Sequence, residues 1–214
     1  ADSSLHTVDD LIARAKELSF GNGDPHSTSG FLIPSYYLWR KLSIDPKQTF
    51  KSVINSNHET NALSVANKQV DFATCSTEVL AQIEQERPET FKKLRVIWKS
   101  PLIPSDPFVW RTDLPQVLKT RILDFILEYG REGPDRDRHL EVLAHISAGW
   151  APFRPSSNDQ LLPLREMILA NKIDELERKA NELNTSDQAE LKTAKAKLLE
   201  VQQRQRELQP TTAE

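Results

Sequence analysis

Three short apolar runs, each followed by a polar turn that opens a helix, constrain this chain more than any other feature. Leu18-Ser19-Phe20-Gly21-Asn22, Phe50-Lys51-Ser52-Val53-Ile54 and Val70-Asp71-Phe72-Ala73-Thr74 have the length and composition of strands. The first is broken by Gly21, Gly23 and Pro25 and leads into residues 31–42, apolar and aromatic over a helical length, where Pro34 is tolerable only in the first turn. The second leads into a helix over residues 59–69 with Ala62, Leu63 and Ala66 on one face, the third into a helix over residues 77–85. Ahead of them Thr7 caps a helix carrying Leu11, Ile12 and Ala15, with Asp10 three residues on. Leu94-Arg95-Val96-Ile97-Trp98 is expected as a fourth strand and Phe108-Val109-Trp110 as a candidate fifth. Strands alternating with helices predict an α/β fold with a mostly parallel sheet covered on both faces.

The pattern changes after residue 112. Residues 114–129 predict an amphipathic helix that stops at Gly130, and residues 140–146 a shorter one. Gly149-Trp150-Ala151-Pro152-Phe153 is an apolar loop that calls for burial. From residue 159 to 209 the pattern is helical throughout: Leu164, Met167, Ile168, Leu176, Leu183, Leu191, Leu198 and Val201 recur between charges of both signs. Asn184-Thr185-Ser186-Asp187 marks a break with a new N-cap. The tail has too few apolar positions for a core of its own and should pack on the body or on a second copy of itself. Charged residues make up 28% of the chain and hydrophobic ones 38%, which fits a real core joined to such a solvated part.

Charge and cysteine content exclude several functions. A formal net charge of −3 argues against a bulk nucleic-acid binder. Cys75 is the only cysteine, so neither an intrachain disulfide nor a cysteine-built zinc site is expected. The histidines and acids show no metal-ligand spacing, and no cofactor is expected. No apolar run approaches the ~18 residues of a membrane span.

The candidate chemistry lies at the strand-to-helix junctions. Gly21-Asn22-Gly23-Asp24-Pro25-His26-Ser27-Thr28-Ser29-Gly30 sets glycines and hydroxyls beside free N–H groups at a helix N-terminus, an arrangement suited to a phosphate-like anion. A Ser/Thr cap in a polar turn would account for the same residues. There is no P-loop lysine and no GxGxxG, which argues against an NTPase or a dehydrogenase. Asn55-Ser56-Asn57-His58-Glu59-Thr60 repeats the design, with His58 either donating to an anion or serving as a capping histidine. In an open α/β sheet both segments would sit outside the carboxyl ends of the strands, where ligands bind. Thr74-Cys75-Ser76-Thr77-Glu78 is the third junction, with Glu78 in a first helical turn that favours a carboxylate in any case. Asp106, between Pro104 and Pro107, is either a turn aspartate or a second carboxylate for a ligand cation. Ser27, His58 and Glu78 or Asp106 offer triad residue types, but no Gly-x-Ser-x-Gly elbow surrounds the serine.

Several of these stretches are similar, in the same order, to periplasmic phosphonate-binding proteins of ABC transporters. They are residues 21–32, His58-Glu59-Thr60-Asn61-Ala62-Leu63, Ala66-Asn67-Lys68-Gln69-Val70-Asp71, Trp98-Lys99-Ser100-Pro101-Leu102-Ile103-Pro104 and Gly149-Trp150-Ala151-Pro152-Phe153-Arg154. The resemblance is dense over residues 5–165 and looser in the tail. It implies a type II periplasmic-binding-protein-like α/β fold, in which one complete αβ lobe is joined by a returning segment and C-terminal helices. Residues 5–105 would form the second lobe, residues 106–158 would return to the first lobe, and residues 159–209 would be the C-terminal helices. A full family member has roughly another hundred residues ahead of Ala1, carrying most of the first lobe.

Carried over position by position, Ser27, Thr28 and His58 match phosphonate-oxygen ligands, and Glu78 and Asp106 match carboxylates that hold the amino group of an aminoalkylphosphonate. The resemblance implies capture without catalysis, for an ABC importer, with 2-aminoethylphosphonate as ligand and membrane permease subunits as partners. It implies a periplasmic location, the leader being absent from this chain. Helix N-termini and neutral hydroxyls need no basic patch to hold the anion, in keeping with the net charge. Glu78 and Asp106 would repel plain phosphate or sulfate unless a cation accompanies it. The rival readings are a phosphate- or phosphite-binding transport protein, a phosphoester-acting enzyme using the same pocket, and a helical interaction module that forms a homodimer through the tail.

Overall fold

A computed structural model of the chain describes residues 4–146, 150–179 and 184–208; Gly149, Leu183 and Gln209, named above, lie outside them. The described residues fall into two compact units. One contains the residues up to Leu102 together with those from Leu162 on, and the other runs from Ile103 to Leu161.

The first unit is built on a parallel sheet of strands β1 (Ser19–Gly23), β2 (Ser52–Ser56) and β3 (Phe72–Ala73), in the order β2-β1-β3. Phe20 pairs with Val53 on one side and Phe72 on the other; Gly21 pairs with Ile54 and Ala73. Paired residues of a parallel ladder share a face, so Phe20, Val53 and Phe72 lie on one side and Gly21, Ile54 and Ala73 on the other. The Phe20 face holds the core. Its ring stacks on Phe72 at 4.6 Å and meets the edge of Trp39 at 5.5 Å, and Leu11, Ala15, Leu18 and Phe50 complete the cluster. Burying an aromatic ring of this size is worth several kcal/mol, about 3–5 by truncation.

The helical segments follow from local chemistry. Helix α1 (Val8–Ala13) is closed by the expected capping box, Thr7 accepting from the Asp10 N–H while the Asp10 carboxylate accepts from the Thr7 N–H. Residues 31–42 do not make one regular helix. They form two wide π-type turns, Thr28–Leu32 and Ser35–Trp39, meeting at Pro34. The second turn carries Trp39 onto the Phe20 face before α2 (Pro46–Thr49) and β2. Helix α3 (His58–Ala66) then returns across the Gly21 face to β3. One connection runs outward from the central strand and the next runs back over it. Right-handed crossovers of opposite direction fall on opposite faces, which explains why both sides are covered.

Helices α4 (Thr77–Glu86) and α5 (Pro88–Phe91) follow, α5 having Pro88 at its first position. The expected fourth strand at residues 94–98 forms no regular element and joins no ladder among the described residues. Ile97 packs on the core cluster and the Arg95 guanidinium lies 2.9 Å from His6 Nδ1, so side-chain contacts with the α1 end of the unit hold this segment instead. The candidate fifth strand, Phe108-Val109-Trp110, is also unpaired there; Phe108 meets the edge of Phe153 at 4.9 Å.

In the second unit, helix α6 (Gln116–Glu128) ends at Gly130, whose φ of +75° is the left-handed conformation that favours glycine at a helix end. Helix α7 (Arg136–Ile146) begins four residues earlier than residue 140, and His139, in its first half, stacks on Tyr129 at 3.9 Å. Helices α8 (Leu162–Arg178) and α9 (Thr185–Leu208) belong to the first unit and pair with each other through Leu176, Ala194 and the ion pairs Lys172–Glu190 and Lys195–Glu177. Asn184 caps α9 as expected, accepting from the Asp187 N–H at 2.9 Å. Asp174 of α8 accepts from Arg40, so the tail also packs on the body.

Candidate anion-binding site

The parallel sheet brings three helical N-termini to one end of the first unit. The Thr28–Leu32 turn follows β1, α3 follows β2 and α4 follows β3, and each has an oxygen-bearing cap. Ser27 Oγ accepts from the Gly30 N–H, Asn57 Oδ1 from the Thr60 N–H and Ser76 Oγ from the Val79 N–H. The opening N–H groups of each, beginning at Thr28, His58 and Thr77, have no acceptor within their own helix. Their partial positive charges favour an anion.

Two glycines let the first junction close over the sheet. A Cβ on Gly23 would stand 2.7 Å from the Gly30 Cα and nearer still to its carbonyl, and one on Gly30 would stand 2.9 Å from His58 Cε1. Backbone therefore lies against backbone where β1 meets the turn, and the His58 ring lies against the turn. A buried amide ties the other two junctions to the central strand: Asn61 Nδ2 donates to the Asn22 carbonyl at 3.0 Å and to the Thr74 carbonyl at 3.2 Å.

His58 is the hub. The Ser76 N–H donates to its Nδ1 at 3.1 Å, and its Nε2 lies 3.0 Å from Ser29 Oγ. A nitrogen that accepts from a backbone N–H carries no proton of its own, so the neutral ring holds its proton on Nε2 and donates it to Ser29. Burial pushes the His58 pKa below its ordinary value, while the Glu78 carboxylate acts in the opposite direction. Cys75 lies alongside with its thiol on the His58 carbonyl, and burial pushes its pKa up to about 11. Among the described residues no group of three or more His, Cys, Asp or Glu side chains could hold a metal ion.

Of the residues expected from sequence, Ser27, Thr28, His58 and Glu78 lie at these junctions of the first unit. Asp106 belongs to the second unit, exposed in a segment without regular structure. Ser29, Ser76 and Asn61 are not among the residues expected from sequence, yet they organise these junctions. Ser29 and Ser76 lie in two of the polar turns, but their bonds to His58 span 29 and 18 residues and have no local signature. Asn61 had a signal: an asparagine beside Ala62 on the apolar side of a helix is unfavourable without a buried partner.

This arrangement is an α/β fold with its candidate site at the carboxyl edge of a parallel sheet, the edge where ligands of such folds bind. Residues 1–161 match the model of a family described as "ABC transporter, phosphonate, periplasmic substrate-binding protein", and the chain belongs to that family. It is 52% identical over 168 residues to the phosphonates-binding periplasmic protein of Escherichia coli (strain K12), a match covering 78% of this chain and 48% of the relative. The chain thus spans about half the length of that curated relative. The binding-protein component of an ABC phosphonate transporter from Pseudomonas aeruginosa superimposes with a TM-score of 0.83 at 43% identity, over 96% of this chain and 66% of that one. A Xanthomonas citri protein solved with bound chloride ion shares the fold at a TM-score of 0.57 and 17% identity, over 80% of this chain and 63% of its own.

Proposed function

We infer that this chain is the ligand-capturing part of an ABC importer for phosphonates and that it acts without catalysis. The observation that carries this reading is the meeting of three capped helix N-termini around His58 in a member of the phosphonate-binding family. Ser27, Thr28 and His58 hold the phosphonate oxygens with neutral donors, His58 turning its Nε2 proton from Ser29 Oγ to the ligand. Glu78 holds the ammonium of an aminoalkylphosphonate such as 2-aminoethylphosphonate and turns away anions that bring no cation; Asp106 is the second carboxylate on the family resemblance alone. Residues 5–105 act as the second lobe, residues 106–158 return to the first, and residues 159–209 are C-terminal helices that offer a surface for pairing two copies. The natural setting is the periplasm, with membrane permease subunits as partners.

An NMR amide-shift titration of the chain with 2-aminoethylphosphonate tests this. Binding of about 4 kcal/mol corresponds to a millimolar dissociation constant and lies within reach of the method. Saturable shifts confined to the turns at Ser27–Ser29, His58, Glu78 and Asp106 are expected. The Glu78→Gln variant should lose at least about threefold in affinity for 2-aminoethylphosphonate, the weight of one exposed ion pair of roughly 0.7 kcal/mol, and gain affinity for methylphosphonate, which brings no cation to offset the carboxylate. Equal loss for both ligands would refute the amine assignment. An equal response of the unaltered chain to inorganic phosphate would move the reading to phosphate or phosphite transport.

A further inference from the structure

The hydrogen bonds of His58 carry a consequence beyond its place among the ligand contacts. Its Nδ1 is occupied by the N–H of Ser76, a group that can only donate. Protonating that nitrogen would set N–H against N–H and leave the Ser76 donor unsatisfied. Its Nε2 already carries a proton and faces Ser29 Oγ, beside the first helical turn after β1. We propose that the Ser76 N–H is a positioning group that fixes His58 as a neutral donor, so that the site takes the fully deprotonated anion and its affinity follows the ionisation of the ligand rather than that of the protein. This rests on the phosphonate reading above and deepens it.

The surroundings of the ring agree. The segment packed across it, Thr28–Leu32, has no ionisable side chain. From the β3–α4 junction Cys75 stays a neutral thiol, its pKa pushed up to about 11. On α3 itself Glu59 is paired with Arg87 at 3.1 Å. Glu78, in the first turn of α4, is the carboxylate that draws a proton toward the ring, and burial outweighs it. The main-chain donors at the three junctions offer nothing to the hydroxyl of a singly protonated phosphonate, which could bond only by turning the Ser27 or Thr28 hydroxyl from donor to acceptor. The dianion can use every one of them, and charge-assisted bonds are the stronger kind.

Ring-nitrogen NMR of the unaltered chain between pH 5 and 8.5 tests the tautomer without any ligand. The expected spectrum has a protonated Nε2 and a bare Nδ1, with no protonation above the ordinary histidine range of about 6.5. An Nδ1–H tautomer, or a ring that takes up a proton above that range, would overturn the proposal. In a second arm, 2-aminoethylphosphonate and its 1,1-difluoro analogue, which both carry the ammonium, are titrated into the chain at stepped pH. Fluorine lowers the second ionisation of the latter. Affinity should fall about tenfold per pH unit below each ligand's own second pKa, so the two profiles should separate by the difference between the ligands. Superimposed profiles would overturn the proposal. If neither ligand moves any amide, the phosphonate reading fails and takes the ligand half of the proposal with it, while the ring spectrum still decides the tautomer. The Ser76→Pro variant removes the N–H; if it folds, His58 should begin to titrate in the ordinary range, and a ring spectrum identical to that of the unaltered chain would count against the lock.

Discussion

Replacing Gly23 by alanine tests the geometry of the first junction directly. The new Cβ would lie 2.7 Å from the Gly30 Cα and nearer still to the Gly30 carbonyl. Carbon atoms rest at about 3.5–4.0 Å, so the turn must retreat from β1 by roughly 1 Å. Both parties are main chain, and no rotamer change can relieve the overlap. Overpacking of this kind costs about 1–3 kcal/mol, and the upper end is expected here. The retreat also moves Gly30, which donates to Ser27 Oγ, and Ser29, which accepts from His58. Stability and ligand contacts should therefore fail together. Urea unfolding followed through the amide signals of β1 and α3 gives the first quantity, and His58 ring signals report the second. A stability change under about 0.5 kcal/mol, the range of an ordinary surface substitution, with unchanged ring signals would refute the close approach. The Gly30→Ala variant is the companion: its Cβ would meet the His58 ring at 2.9 Å and Ser27 Oγ at 3.0 Å, groups that can swing aside, so a smaller loss of stability with a clear shift of the ring is expected.

Other perturbations have equally definite outcomes. Asn61→Leu strands the Asn22 and Thr74 carbonyls inside the unit and should cost about 1–3 kcal/mol in urea unfolding; a neutral result would mean that water replaces the amide. Because the folded pKa of His58 lies below its ordinary 6.5, the neutral ring favours the folded state above pH 6.5, and that contribution is lost as pH falls through the folded value. The urea midpoint should thus decline below pH 6.5, and the decline should shrink in His58→Gln. Asp174→Asn breaks the 2.5 Å pair with Arg40, but both partners are partly exposed, so the loss should stay within about 1 kcal/mol by thermal or urea unfolding.

The parts of this fold that the sequence announces are those decided within a few residues. The three strands could be read because an apolar run bounded by glycine or a polar turn is a local signal. The caps at Thr7, in the Ser27 turn and at Asn184 could be read because a cap bonds an N–H only two or three residues ahead, whereas those at Asn57 and Ser76 were not singled out. Residues 94–98 show the limit. Their composition suits a strand, yet a strand exists only through a ladder, and Ile97 and Arg95 are held by side-chain contacts instead. Residues 31–42 show another: helical length was evident, but the wide turns on either side of Pro34 were not. For the site, hydroxyls at the turns and His58 were legible as donors near helix ends. The tautomer of His58 was not, because Ser76 and Ser29 reach it through the tertiary fold. The order of the candidate ligands came from family resemblance, not from spacing.

The thiol of Cys75, turned onto the His58 carbonyl and kept protonated by burial, makes this junction a clock. An alkylating reagent consumes thiolate, and here the half-buried thiol yields little of it while the β3–α4 corner is closed. With one cysteine in the chain, all of the label reports on this corner. The speed of modification therefore tracks how readily the corner loosens, without mutation, dye or tag.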